Sequence, residues 1–159
     1  MKTYIGIDNG VTGSVCILKD NNVYYVPTPV KVEQSYTKTK QIISRVDYYK
    51  LRNWLMDIIF PSEGIFCLIE RPMVNPGRFK ATASALRALE ATMIVLEGLN
   101  IPFQFIDSKE WQREFLPTGV EKDGLKKAAV DVSRRLFPDV KVKDVDSILI
   151  AEFARRMML

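Results

Sequence analysis

Tyr4-Ile5-Gly6-Ile7-Asp8-Asn9-Gly10-Val11-Thr12-Gly13-Ser14-Val15-Cys16-Ile17 is the stretch that decides how the chain is read. An apolar run short enough for a strand stops at one acid and then at Asn-Gly, the pair best suited to a turn with positive φ. A second apolar run follows another glycine. Asp8 therefore stands at a strand's carboxyl end, beside a tight hairpin where little side-chain bulk blocks a ligand. That position suits a metal ion or a phosphate, and it equally suits an aspartate that only starts the turn through its own side chain.

Working outward, Asp20-Asn21-Asn22 turns the chain into Val23-Tyr24-Tyr25-Val26, a third strand antiparallel to the second, so that three strands form a meander. Residues 27–46 hold two prolines and a polar stretch without clear period, and read as a mobile basic loop, either a lengthened connection or a binding element. Asp47 is placed to cap a helix carrying Leu51, Trp54, Leu55 and Ile58, ended before Pro61. Gly64-Ile65-Phe66-Cys67-Leu68-Ile69-Glu70 has no alternation, as expected of a central strand covered on both faces, and it too ends on a lone acid.

The prolines and glycine of residues 71–79 predict a loop, which carries Arg71, Met73, Arg78 and Phe79. A helix rich in alanine is expected over 80–98, a fifth short strand over 102–106, and a helix from Ser108 with capping-box spacing between Asp107 and Glu110. After a loop over 116–124 comes a basic helix with Lys126, Lys127, Arg134 and Arg135, ending near Phe137-Pro138. The last helix begins at about Asp144. Its apolar stripe of Ile150, Phe153 and Met157, projected back four residues, lands on Asp146. The sum is an α/β chain with a five-stranded mixed sheet, an antiparallel meander plus two parallel strands, flanked by helices.

At 159 residues and 47% hydrophobic content, one domain spanning residues 1–159 is expected. No apolar stretch reaches transmembrane length and the chain starts directly into a strand, so a soluble protein that stays in the compartment that made it is expected. Cys16 and Cys67 lie in apolar runs and read as buried free thiols. Histidine is absent, which excludes Ser-His-Asp and Cys-His catalysis and His-ligated zinc. The net charge of +4 is gathered in two blocks: +3 over residues 31–57 and +3 over residues 109–143, with −2 elsewhere. Such blocks fit a polyanionic partner or an ordinary solvated surface.

Two strands, expected as neighbours, end in Asp8 and Glu70, and ligands of open α/β sheets bind beyond the carboxyl ends of strands. Neighbouring strands lie about 4.8 Å apart, close enough for two carboxylates to share a cation. With Asp146, and Asp144 as a fourth, the acids would repel one another unless protonated or bound to metal. All-oxygen ligation selects Mg²⁺ or Mn²⁺, and a pair of ions about 4 Å apart clamps the attacking and leaving oxygens of a phosphoryl displacement. Each acid also has an ordinary reading: Asp144 or Asp146 as a helix cap, Glu70 as the partner of Arg71 or a lysine.

The opening motif, the strand ending Ile-Glu-Arg-Pro and the final Asp-Val-Asp-Ser-Ile-Leu-Ile-Ala-Glu-Phe-Ala together resemble the RuvC-type Holliday junction resolvases, especially their shorter phage-like branch. The resemblance covers nearly the whole chain. It implies an RNase H-like fold and a homodimer that cuts four-way DNA in the cytoplasm of a bacterial cell or phage-infected host, with no nucleotide cofactor and no membrane. By position, Asp8, Glu70 and Asp146 match metal-binding catalytic acids. Bacterial members usually place two acids three apart at the start of the last helix, whereas here the position three before Asp146 is Lys143 and Asp144 stands two before. On this reading Lys109, Lys122, Lys126 and Lys127 meet phosphates. Arg71, Met73, Arg78 and Phe79 form a loop that wedges into a base step. Alternatives are a sugar-kinase-like ATPase, for which the chain lacks a second lobe, and an inactive module that only binds branched DNA.

Overall fold

The computed structural model describes residues 2–61 and 64–157. In chain order the elements are β1 (Lys2–Asp8), β2 (Ser14–Lys19), β3 (Asn22–Pro27), β4 (Val30–Gln34), β5 (Ile42–Val46), α1 (Tyr48–Ile59), β6 (Gly64–Glu70), a 3₁₀ turn (Pro76–Arg78), α2 (Phe79–Gly98), β7 (Phe103–Ile106), α3 (Ser108–Phe115), α4 (Lys122–Leu136) and α5 (Asp146–Met157). Five strands make one sheet in the order β3-β2-β1-β6-β7. β1 to β3 form the antiparallel meander, and β6 and β7 run parallel to β1. This is the expected mixed sheet flanked by helices.

Both faces of the sheet are covered, which is why β1, β2 and the end of β6 read as unbroken apolar runs. Alternation along β1 sends Ile5 and Ile7 into a core with Leu51 and Leu55 of α1 and Val95 and Leu96 of α2, while Tyr4 joins Trp111, Ile148 and Leu149 on the other face. Gly6 belongs to that second face. A Cβ there would run into the backbone at Ser147 and Ala151, so α5 lies against β1 with no side chain between them. Ser14 at the start of β2 donates from Oγ to Ser147 Oγ at 2.7 Å, a buried hydrogen bond that holds the first turn of α5 over the sheet's edge.

Three local expectations are corrected. Residues 27–46 are not a loop: they contain the antiparallel hairpin β4–β5, a separate two-stranded sheet in which Val30 pairs with Val46 and Gln34 with Ile42. The long polar tip hides it, and its half-exposed strands lack the apolar density of the core strands. Phe79, assigned to the loop, is the first residue of α2. In α5 the expected three-residue stripe fails because the helix is buried nearly all round, from Ser147 to Glu152, while Met157 is 55% exposed. No helix among the described residues is long and apolar enough to cross a membrane.

Candidate metal centre

Parallel pairing of β1 with β6 sets Ile7 opposite Ile69, so Asp8 and Glu70 leave neighbouring strand ends. The close seat of α5 over Gly6 brings the helix start to the same edge. Carboxylate oxygens of Asp8, Asp144 and Asp146 lie within 4.8 Å of one another. Glu70 stands outside that trio: its Oε2 accepts a 2.7 Å hydrogen bond from Nε1 of buried Trp111. Glu70 nonetheless feels the same field, being among the charges that act on Asp8 and Asp146. Asp8, Asp144 and Asp146 line a cleft of about 360 Å³ together with Thr12, Val145, Lys126 and Lys143.

The electrostatics are those of acids forced together. Burial, then the charges of Asp144, Glu70 and Asp146, push the Asp8 carboxyl up from 3.8 to about 8. Asp146 rises to about 6 through burial and the charges of Asp144 and Glu70, with Lys126 pulling it back. Glu70 is raised by burial and by the charge of Asp144, while the Trp111 N–H favours its charged form and pulls it back. Asp144 Oδ1 accepts from the backbone N–H of Asp146 at 3.3 Å, so the capping role is present. Its Oδ2 is buried with no hydrogen-bond partner. A buried carboxylate oxygen without a donor, facing two more carboxylates and no histidine, fits a hard divalent cation.

The basic residues are spread over two sides of this edge. Lys126 and Lys143 flank the acid cleft, whereas Lys122 and Lys127 are exposed on α4 and Lys109 on α3. Arg71, Met73 and Arg78 line a second cleft of about 230 Å³ with Asn9 and Glu70. Arg71 does not pair with Glu70. It forms an ion pair with Asp107 at 3.5 Å and lies 5.7 Å over the Phe105 ring. Met73 and Phe79 are 74% and 76% exposed, so neither packs into the core.

Sequence reasoning missed Trp111, Gly6, the Ser14–Ser147 pair and Asn9. Asn9 ties the turn after β1 to α2 by donating from Nδ2 to the Ala85 carbonyl at 3.1 Å, and its Oδ1 is buried without a partner. The glycine inside a strand was the one available signal, since such a glycine often marks close approach of another backbone. Asp107 behaves as expected of a helix start, its N–H donating to Glu110 Oε1 at 3.2 Å.

No protein-family model and no curated protein matches the chain. Among solved structures, Thermus thermophilus RuvC in complex with a Holliday junction substrate superposes with a TM-score of 0.59 at 10% identity, covering 99% of this chain and 96% of that one. A second Thermus thermophilus RuvC structure gives 0.55 at 14% identity, covering 98% and 96%. The protein therefore has the RuvC-type, RNase H-like fold.

Proposed function

We propose that the chain is a metal-dependent endonuclease that resolves four-way and other branched DNA by paired phosphodiester hydrolysis, residues 1–159 acting as one nuclease domain in a homodimer. The observation that carries this reading is the convergence of Asp8, Asp144 and Asp146 within 4.8 Å, with Glu70 alongside, at the carboxyl ends of β1 and β6. A Holliday junction substrate in one structural neighbour supports DNA as the partner. The opening motif, the strand ending Ile-Glu-Arg-Pro and the final Asp-Val-Asp-Ser-Ile-Leu-Ile-Ala-Glu-Phe-Ala extend the proposal to the shorter phage-like branch. The site of action is then the cytoplasm of a bacterial cell or an infected host.

On this reading Asp8, Asp144, Asp146 and Glu70 hold Mg²⁺ or Mn²⁺, two ions per site. Bound there, the cations activate water and neutralise charge on the reacting phosphate. The chain's own residues supply the rest. Trp111 fixes the Glu70 carboxylate, Ser14 and Gly6 fix the start of α5, and Asp8 gives up its proton as the site is loaded. Lys126 and Lys143 at the cleft hold the DNA backbone, joined by Lys109, Lys122 and Lys127 farther out. Met73 and Phe79, flanked by Arg71 and Arg78, open a base step where pairing is already weak.

The test compares labelled four-way, Y-shaped and linear DNA of one sequence with purified protein and Mg²⁺. Cleavage selective for branched DNA, lost in Asp8→Asn, Glu70→Gln and Asp146→Asn while binding survives, is expected. Tight binding with no cleavage by the unsubstituted protein would instead leave a branch-binding module.

A further inference from the structure

The tip of the β4–β5 hairpin, residues 35–41, takes no part in the metal centre yet is rooted beside it. At its base Thr28 N–H donates to the Gly13 carbonyl at 3.0 Å, and Asp47 N–H donates to the Pro29 carbonyl at 2.8 Å. Gly13 in turn packs against the carbonyl of Asp8. Val46 is buried in the core with Ala88 of α2, and Val11 of the loop after Asp8 shares a cleft with Ser44 and Arg45. From this fixed root, the five residues of β4 carry the tip about 17 Å outward.

Charge is distributed unevenly along the hairpin. In its body Glu33 holds Lys31 at 3.2 Å and Arg45 at 2.7 Å. The tip has Lys38 and Lys40 and no acid from Gln34 to Val46. Neither lysine has an ion pair among the described residues. Tyr36 stands 81% exposed beside them. The turn is ordered: Ser35 N–H donates to the Gln41 carbonyl at 2.6 Å, and the hydroxyls of Ser35, Thr37 and Thr39 are linked at 3.0 and 2.8 Å. Lys40 adopts a φ of +49°, a left-handed conformation uncommon for lysine, so the tip keeps a basic residue where glycine or asparagine is the easier choice.

Two unpaired cations, an exposed phenol and a row of hydroxyls are groups of the kind that contact the phosphodiester backbone. We propose that this tip is a second DNA contact, with Lys38 and Lys40 on phosphates and Tyr36 against the backbone of a duplex arm. At 3.4 Å per nucleotide it reaches about five base pairs from the hairpin's root. The inference rests on the nuclease reading and adds to it a clamp on the arm outside the cut.

The test measures Kd for a four-way junction by fluorescence anisotropy, without divalent cations and over a range of salt, for the unsubstituted protein and for Lys38→Ala/Lys40→Ala. Loss of two phosphate contacts should weaken binding on the order of tenfold and reduce the salt slope by about 2, with cleavage at saturating DNA unchanged. Tyr36→Cys bearing a photoactivated crosslinker should attach to a duplex arm of the junction and not to the crossover. Labelling is confined to that position because Cys16 and Cys67 are buried. Unchanged affinity and slope in a protein that binds and cuts junctions would overturn the hairpin contact alone. So would tip variants that alter the oligomeric state instead, marking a contact with a second copy. A protein that binds no branched DNA would remove the nuclease reading, and this contact with it.

Discussion

Without metal, the acids at the sheet's edge strain the fold in a way that pH exposes. Asp8 is held at about 8 against an ordinary 3.8, first by burial and then by its acidic neighbours. Such a carboxyl binds its proton more tightly in the folded chain than in the unfolded one. Stability is therefore full at the acid end of that interval and is lost as pH rises through it. Evaluated at neutral pH, the shift amounts to about 4 kcal/mol of destabilisation. Asp146, raised to about 6, adds in the same direction. Glu33, lowered by Arg45 and then Lys31, acts with opposite sign, and only toward the acid end. Asp8→Asn removes the largest contribution, so in EDTA at neutral pH it should raise the melting temperature by about 10 °C and flatten its pH dependence. Excess Mg²⁺ should close most of that gap, stabilising the unsubstituted protein by about 2.7 kcal/mol at a hundredfold excess over Kd and releasing protons, with little effect on the variant. Calorimetric melting at the two ends of the interval, with EDTA and with Mg²⁺, measures all of this. If the unsubstituted protein in EDTA melts at one temperature throughout, or Asp8→Asn destabilises it there, the acids are not held together as described.

Gly6→Ala should cost about 3 kcal/mol in urea unfolding, because the added methyl meets backbone of α5 rather than a side chain that can move; a near-neutral result would mean that α5 is not seated on β1. Trp111→Phe keeps an aromatic ring, though a smaller one, and removes the donor to Glu70, costing about 1–3 kcal/mol for the lost hydrogen bond alone. It should also shift the acid limb of the cleavage profile to higher pH, and an unchanged profile would take Trp111 out of the site. Met73→Ala and Phe79→Ala should be slow on an intact junction and largely rescued on one with unpaired bases at the crossover. Equal loss on both substrates would exclude a wedge.

The sheet was legible because its central strands are apolar without alternation and stop abruptly at Asp8 and Glu70, which ties strand end and acid in one signal. The hairpin β4–β5 was not. Its strands are half exposed, and a seven-residue polar tip separates Gln34 from Ile42, so neither apolar density nor a short turn marks it. The Trp111–Glu70 hydrogen bond joins residues 41 apart across two elements, and nothing local in either segment announces it. Gly6 was plain to see in the sequence, but what it makes room for is known only once α5 is placed.

The spacing of Asp144 and Asp146 was the least legible feature, for a definable reason. On a helix, side chains three or four apart share a face, while those two apart diverge. Two acids separated by one residue therefore cannot converge if both are helical. Here they converge because α5 starts only at Asp146, leaving Asp144 outside the helix. That residue turns back on the first turn, its Oδ1 taking the N–H of Asp146 at 3.3 Å while Oδ2 is left buried among the acids. One carboxylate thus serves as cap through one oxygen and as a candidate ligand through the other. The two readings of Asp144 that the sequence holds apart, cap or ligand, are compatible, and the boundary that reconciles them, the first residue of a helix, is what local sequence specifies least well.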